Sequence, residues 1–300
     1  MFYRAIRFLF TIICFIAIYY SIEDVNLADI KNSIFEISRL SIGFLFFINF
    51  LSLWMIFSRF STLVHIFNIP LLNRLSTVSS SNLFNMLPVP GLPELNKFLD
   101  IKKSTGKENG LYIILTEKLS SVFIYFLIIS FLGIVIFFPN TKFYYIFLLL
   151  VIIFFTFKNS SNISYINYFV QRLRSLYGEK KIINIYWTIF FQTFLIQTLS
   201  IFLPVIILWD MNFLDPSRII LILFFIILNN LISSLPVSFL GFGIRDLSYL
   251  FLGTYFEIMP ATNLLAIALI LNFFAITNQL LSLLVSLVSS YFTKREKLLQ

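Results

Sequence analysis

Cysteine and histidine are almost absent from this chain. Cys14 and His65 are the only ones in 300 residues. One cysteine excludes an intramolecular disulfide and a thiolate metal cluster. One histidine excludes a His/Cys metal site and any mechanism that needs two imidazoles. Charge is also scarce: Asp, Glu, Lys and Arg make up 12% of the residues, against roughly 25% in a soluble domain. No stretch is long or polar enough for a separate soluble domain. There is no P-loop and no G-x-S-x-G elbow, and nothing calls for a cofactor.

What the chain has instead is apolar residues, at 59%. Several runs approach the ~20 residues that cross a bilayer as a helix. The pattern predicts an all-α, polytopic transmembrane bundle. Eight crossings are expected: Phe2–Tyr20, Leu40–Phe57, Leu111–Phe138, Phe143–Phe157, Ile182–Trp209, Ile219–Leu235, one within Phe239–Ile258, and Leu264–Tyr291. Pro204 is expected to kink the fifth. The first run follows Arg4 and Arg7 as a signal peptide would, but no small-x-small cleavage pattern follows it, and a retained span is expected.

The net charge is +8. With the N-terminus inside, sixteen of the 22 basic residues fall in inner segments and four in outer ones. That asymmetry fits the positive-inside rule and puts both termini in the cytoplasm. The charge therefore reads as topology and contact with anionic headgroups, not as a nucleic-acid surface. Arg59–Leu75 is expected to lie in the interface. Lys158–Lys181 is expected to be the longest inner loop.

One stretch resists assignment as a span. Ser76–Asp100 has basic residues on both flanks, so it must enter and return or lie on the surface. Pro88-Val89-Pro90-Gly91 supplies a break. Its "NLFNMLPVP" echoes "NLISSLPVS" further on: Asn82, Leu83, Leu87, Pro88 and Val89 match Asn230, Leu231, Leu235, Pro236 and Val237. The chain thus reads as one integral membrane domain, 1–300, with a candidate two-fold repeat of halves at about 1–157 and 182–291. Broken segments are expected near 76–100 and 236–246. In the eight-span topology both motifs approach from the inside, making the repeat parallel. Broken segments at matching positions point to a transporter's binding site.

Polar residues within the spans sharpen this. Arg245-Asp246 follows "GFG", and such residues cost about 2.5–3.5 kcal/mol each at a helix centre unless they face protein or water. Gly241 and Gly243 permit a non-helical turn. A helix starting after Gly243 would add its N–H groups to the Arg245 charge and make a phosphate site. The other reading is a salt bridge from Arg245 to Glu117. Glu117 lies in the third span and needs a partner, while Lys118 has the reach to snorkel. Asn229, Asn230, Gln192, Gln197, Asn272, Asn278, Gln279 and Ser282 suit interhelical hydrogen bonds.

"LPVSFLGFGIRD" resembles the signature of the lysylphosphatidylglycerol synthase transmembrane (flippase) family, through Leu235, Pro236, Val237, Ser238, Gly241, Gly243 and Arg245. Asp246 stands where that family has Glu. "TEKLSS" is similar to its Glu-Arg element, with Lys118 for Arg. "NMLPVPGLPELNKFL" resembles a third motif at Asn85 and Pro88. There the glycine is displaced to Gly91 and the acid to Glu94, with Lys97 in place of Arg. The resemblance implies a helical membrane fold in a prokaryotic cytoplasmic membrane and movement of a charged phospholipid between leaflets. Synthase members carry a further soluble domain not found in these residues, so no synthase activity is expected.

The expected function is a lipid translocase handling an anionic or aminoacylated phospholipid, or a polyprenyl-phosphate lipid. Its candidate site is Arg245, Asp246, Gly241, Gly243, Ser238, Pro236, Asn230, Glu117, Lys118, Asn85, Pro88, Glu94 and Lys97. Two alternatives stand beside it. One is a membrane enzyme of lipid-linked glycan synthesis using the outer-loop acids Glu23, Asp24, Asp29, Asp210 and Asp215. The other is an accessory subunit that stabilises a membrane-bound transferase.

Overall fold

The computed structural model of the chain describes residues 27–67, 69–84, 92–137, 179–233 and 244–299. The expected crossings at Phe2–Tyr20 and Phe143–Phe157 lie outside them. So does the loop from Lys158, except that its last residues open a helix at Glu179.

Among the described residues every regular element is helical. In order these are α1 (Leu27–Phe35), α2 (Arg39–Val64), α3 (Leu71–Phe84), α4 (Leu92–Thr105), α5 (Lys107–Phe137), α6 (Glu179–Asp210), α7 (Ile219–Ser233), α8 (Ile244–Tyr255) and α9 (Ala261–Leu299). Four of them, α2, α5, α6 and α9, are long and apolar enough to cross a membrane. Their outer faces expose Phe47, Phe50, Trp54, Phe126, Trp187, Phe191 and Leu284. So much unpartnered aromatic and aliphatic surface suits lipid, not water. The chain is built as an integral membrane protein.

Side-chain pairings fix the helix directions. α2 and α6 run antiparallel: Gln192 donates to Ser58 and Thr62 near one end, and the Ser38 N–H donates to the Asp210 carboxylate at the other. α5 runs parallel to α6, with Ser120 beside Thr193 and Tyr125 beside Ser200. α9 runs parallel to α2, with Phe46 against Phe273 and Phe274, and Asn278 donating to Asn49. Val64, Lys107 and Glu179 therefore share one end, called here the basic end. Phe137 and Asp210 lie at the far end.

Between the long helices sit two helical hairpins. In the first, Ser81 donates to the Pro93 carbonyl at 2.9 Å and Asn96 donates to Ser80 at 2.8 Å, so α3 and α4 are antiparallel. The pair starts and finishes at the basic end, next to Val64 and Lys107. The two helices thus run away from that end and back to it. Gly106, at φ +87°, makes the left-handed turn into α5, a conformation glycine adopts without strain. Gly110 lets α5 close on Phe98, where an added Cβ would stand 3.3 Å from the ring.

The second hairpin enters from the far end. α7 leaves the turn after Asp210, and Ser248 of α8 donates to Asn229 of α7 at 2.7 Å. The rings of Phe225 and Tyr249 meet edge to face at 5.4 Å. α8 returns to the far end, where Gly253 packs on Leu264 of α9. The described parts of the expected sixth and seventh crossings are 15 and 12 residues long, short of the ~20 that span a bilayer. Asn230 reaches only the level of Ser200, ten residues or about 15 Å from the far end of α6.

Two expectations are corrected. The helices leading to Asn82 and Asn230 approach the middle from opposite ends, not from the same one, because α7 descends from the far end while α3 rises from the basic end. Arg59–Leu75 is not an interfacial helix. Its first part completes α2 and buries Phe60, Leu63 and Val64, and its last part opens α3. Pro204 lies inside α6, which continues through it.

Candidate functional site

Glu117 lies in the interior, 5% exposed, on the face of α5 that also carries Ser121 and Tyr125. Arg59 of α2 donates to its Oε1 at 2.8 Å. Lys97 of α4 donates to Oε1 at 3.0 Å and to Oε2 at 3.1 Å. Both cations are as hidden as the carboxylate, at 6% and 8% exposure. Arg59 also donates to Ser121 at 3.0 Å and to the fully buried Thr193 of α6 at 3.4 Å. Four helices thus converge on one carboxylate. The pair Lys118–Glu94 closes the same junction nearer the surface.

The charges here do not balance. Among the described residues, two buried cations share one buried carboxylate, and the Lys118–Glu94 pair adds zero net charge. Several kcal/mol of desolvation per ion must be repaid by pairing, and Arg59 Nε has no hydrogen-bond partner. The centre is therefore electropositive by about one charge and suited to a phosphate or carboxylate.

A second polar cluster lies toward the far end. α8 begins at Ile244, as the Gly243 break anticipates. Asp246 falls in its first turn, where the helix dipole favours a carboxylate. Asn272 of α9 bridges the sequence neighbours: its amide donates to Asp246 at 2.8 Å and its carbonyl accepts from Arg245. Asn230 donates to the backbone and hydroxyl of Ser200, each at 3.4 Å. Ser200 is seven residues beyond Thr193 on α6, about 10 Å along the bundle.

The sequence-named residues therefore divide into two groups. Glu117, Lys97, Glu94 and Lys118 come together in the first cluster; Arg245 and Asp246 meet at Asn272 in the second, and Asn230 bonds Ser200 of α6. Asn85, Pro88, Pro236, Ser238, Gly241 and Gly243 lie outside the described residues. The suggested Arg245–Glu117 bridge does not form: Glu117 is taken by Arg59 and Lys97, and Arg245 turns to Asn272. Arg59 stands at the start of the segment expected to lie in the interface, and "MIFSRFSTL" by itself does not mark that α2 runs on to Val64. Its signal was an arginine within one helical turn of an apolar run.

Of the polar residues expected to bond between helices, Gln192, Asn229, Asn230, Asn272, Asn278 and Ser282 do so, while Gln279 Oε1 has no hydrogen-bond partner among the described residues. Asn278 donates to Asn49 at 2.7 Å, Asn49 to the Phe274 carbonyl at 3.4 Å, and Asn82 to Ser282 at 3.4 Å. Two of the acids at the far end serve as local anchors. Asp215 caps Ser217 and Asp210 receives Ser38 N–H. No known family, curated protein or solved structure matches this chain.

Proposed function

We propose that this protein translocates an anionic lipid between leaflets, with the basic end in the cytoplasm. The observation that carries the reading is the buried charge excess at Arg59, Lys97 and Glu117. A permanently unbalanced charge in a membrane interior is costly and marks a pathway for charged groups. A lipid phosphate arriving there would neutralise the extra cation, and Glu117 would bridge Lys97 and Arg59 and offset their repulsion when it leaves.

Two further features support it. Long helix, hairpin, long helix occurs twice: α2, α3–α4, α5, and then α6, α7–α8, α9. The second set runs opposite to the first, and the Asn82 and Asn230 motifs stand near the end of the first short helix in each. Inverted halves with half-length elements meeting mid-membrane are how transporters build alternating access. The resemblance of "LPVSFLGFGIRD" to the flippase family points the same way, with Arg245 as the second phosphate partner.

The test is reconstitution with fluorescent anionic lipid and measurement of leaflet exposure by quencher. Wild type should exceed protein-free vesicles at least 10-fold. Arg59→Gln, Lys97→Met and Arg245→Ala should each fall toward the protein-free rate. Equal rates for wild type, variants and empty vesicles would remove the proposal.

A further inference from the structure

A cavity of about 290 Å³ opens at the basic end, where α2 hands over to α3 and α4 returns. Its polar lining is Asn73, Arg74, Ser76, Thr77, Asp100 and Lys103. The volume is close to the lower bound of small-molecule sites, roughly 300 Å³. The first hairpin makes this wall by placing Thr77 of α3 across from Asp100 of α4, 3.5 Å apart.

Arg74 is held as a binding residue is held. Its Nε donates to the Ile69 carbonyl at 2.6 Å and its Nη1 to Ser61 at 2.8 Å. Both partners are neutral, and among the described residues no carboxylate lies within ion-pair distance of it. Asp100, the acid of the cavity, pairs with Lys103 at 3.2 Å. The cavity therefore holds two cations and one carboxylate. Arg74 keeps Nη2 for a further acceptor, and a guanidinium with fixed Nε and Nη1 presents that edge in one orientation.

The cavity is also coupled to the buried centre. Phe60 forms part of its wall. The ammonium of Lys97 lies over the same ring, 5.5 Å from its centroid. One aromatic side chain thus touches both the cavity and the Lys97 ammonium, and a cation–π contact holds it in place.

We propose that this cavity is a phosphate-binding vestibule, with Arg74 as its anchor, that receives a phosphate ester at the basic end. Lys103, Ser76 and Asn73 complete the anion's partners, and displacement of Phe60 would admit it to Lys97 and Arg59. The binding step stands apart from the translocase reading; only the passage beyond Phe60 rests on it.

The test uses the full chain in maltoside detergent, titrated calorimetrically with dihexanoyl-phosphatidate, inorganic phosphate and hexanoate. Wild type should bind the phosphatidate, and Arg74→Gln should weaken it at least 10-fold. Ser76→Glu leaves both Arg74 hydrogen bonds intact and should abolish binding by placing a negative charge in the cavity. It keeps the test decisive if Arg74→Gln fails to fold. Lys31→Gln, at the far end, should bind as wild type. Inorganic phosphate binding as tightly as the lipid would assign the vestibule to free phosphate; binding of the lipid alone would assign it to a headgroup. Unchanged affinity in both cavity variants, or hexanoate binding as well as phosphatidate, would overturn the proposal. Phosphatidate binding without leaflet transfer would leave the vestibule standing and remove the translocase.

Discussion

Lys97 places its ammonium within 3.1 Å of both carboxylate oxygens of Glu117, and the same ammonium caps the ring of Phe60. One lysine thus joins the buried ion cluster to the cavity wall at the basic end. The consequences can be measured.

Removing the carboxylate should be worse than removing a cation. Glu117→Gln leaves Arg59 and Lys97 buried without the carboxylate they share, and breaking a buried pair from one side costs about 3–5 kcal/mol. Glu117→Gln with Lys97→Met should recover part of that loss by deleting one stranded charge. Thermal unfolding in detergent, followed by tryptophan fluorescence, checks the order. A double variant less stable than the single would contradict the assignment.

Asn272 should matter more than a lone polar residue in a membrane helix. It satisfies Asp246 and Arg245 together. Asn272→Leu removes one hydrogen bond from each and should destabilise by about 1–3 kcal/mol, since hydrogen bonds to charged groups are worth more than neutral ones. Asn278→Ala removes a bond to Asn49 and should cost about 0.6 kcal/mol, the average for intramembrane hydrogen bonds.

Two glycines should respond oppositely to alanine. At Gly253 an added Cβ would meet Leu264 at 2.3 and 2.6 Å, and Leu264 is fully buried. Such overpacking costs about 1–3 kcal/mol. At Gly43 nothing lies within 4 Å, so alanine should stabilise α2 by about 0.5–1 kcal/mol through helix propensity. Equal melting shifts would show that the α8–α9 contact is looser than described.

The pH dependence of the far end should trace to Asp215. Its carboxylate accepts from the Ser217 hydroxyl and N–H, which lower its pKa below the ordinary 3.8. A carboxyl with a depressed folded pKa stabilises above its unfolded value and loses that contribution as pH falls through the folded one. Asp215→Asn should therefore reduce the fall in stability on acidification below about pH 4. The comparison is the melting temperature of both proteins between pH 6 and pH 3.

The ends of the bundle should label from opposite faces. In a Cys14→Ser background, Lys103→Cys and Asp215→Cys should react with an impermeant maleimide from opposite sides of sealed vesicles. Labelling of both from one side would contradict the helix directions.

Composition and periodicity were enough to establish the class of protein and the limits of two of its long helices. The expected Leu111–Phe138 and Ile182–Trp209 match α5 and α6 to within a few residues, because an apolar run in lipid must satisfy its backbone internally and becomes a helix. The glycines before Ile244 marked the start of α8 for a similarly local reason. Glu117 announced its need for a partner, since a carboxylate without the reach to snorkel cannot remain alone.

Only the tertiary structure decided who that partner is. Arg59 and Lys97 lie 58 and 20 residues away in sequence, and helical periodicity names a face, not the neighbour across it. The same holds for the direction of the second hairpin. Whether α7 crosses fully or stops beside Ser200 depends on what α6 and α9 offer Asn230 and Asp246 at mid-depth. Ion-pair and hydrogen-bond energies are set by distance and burial, and in this chain packing between remote helices fixes both.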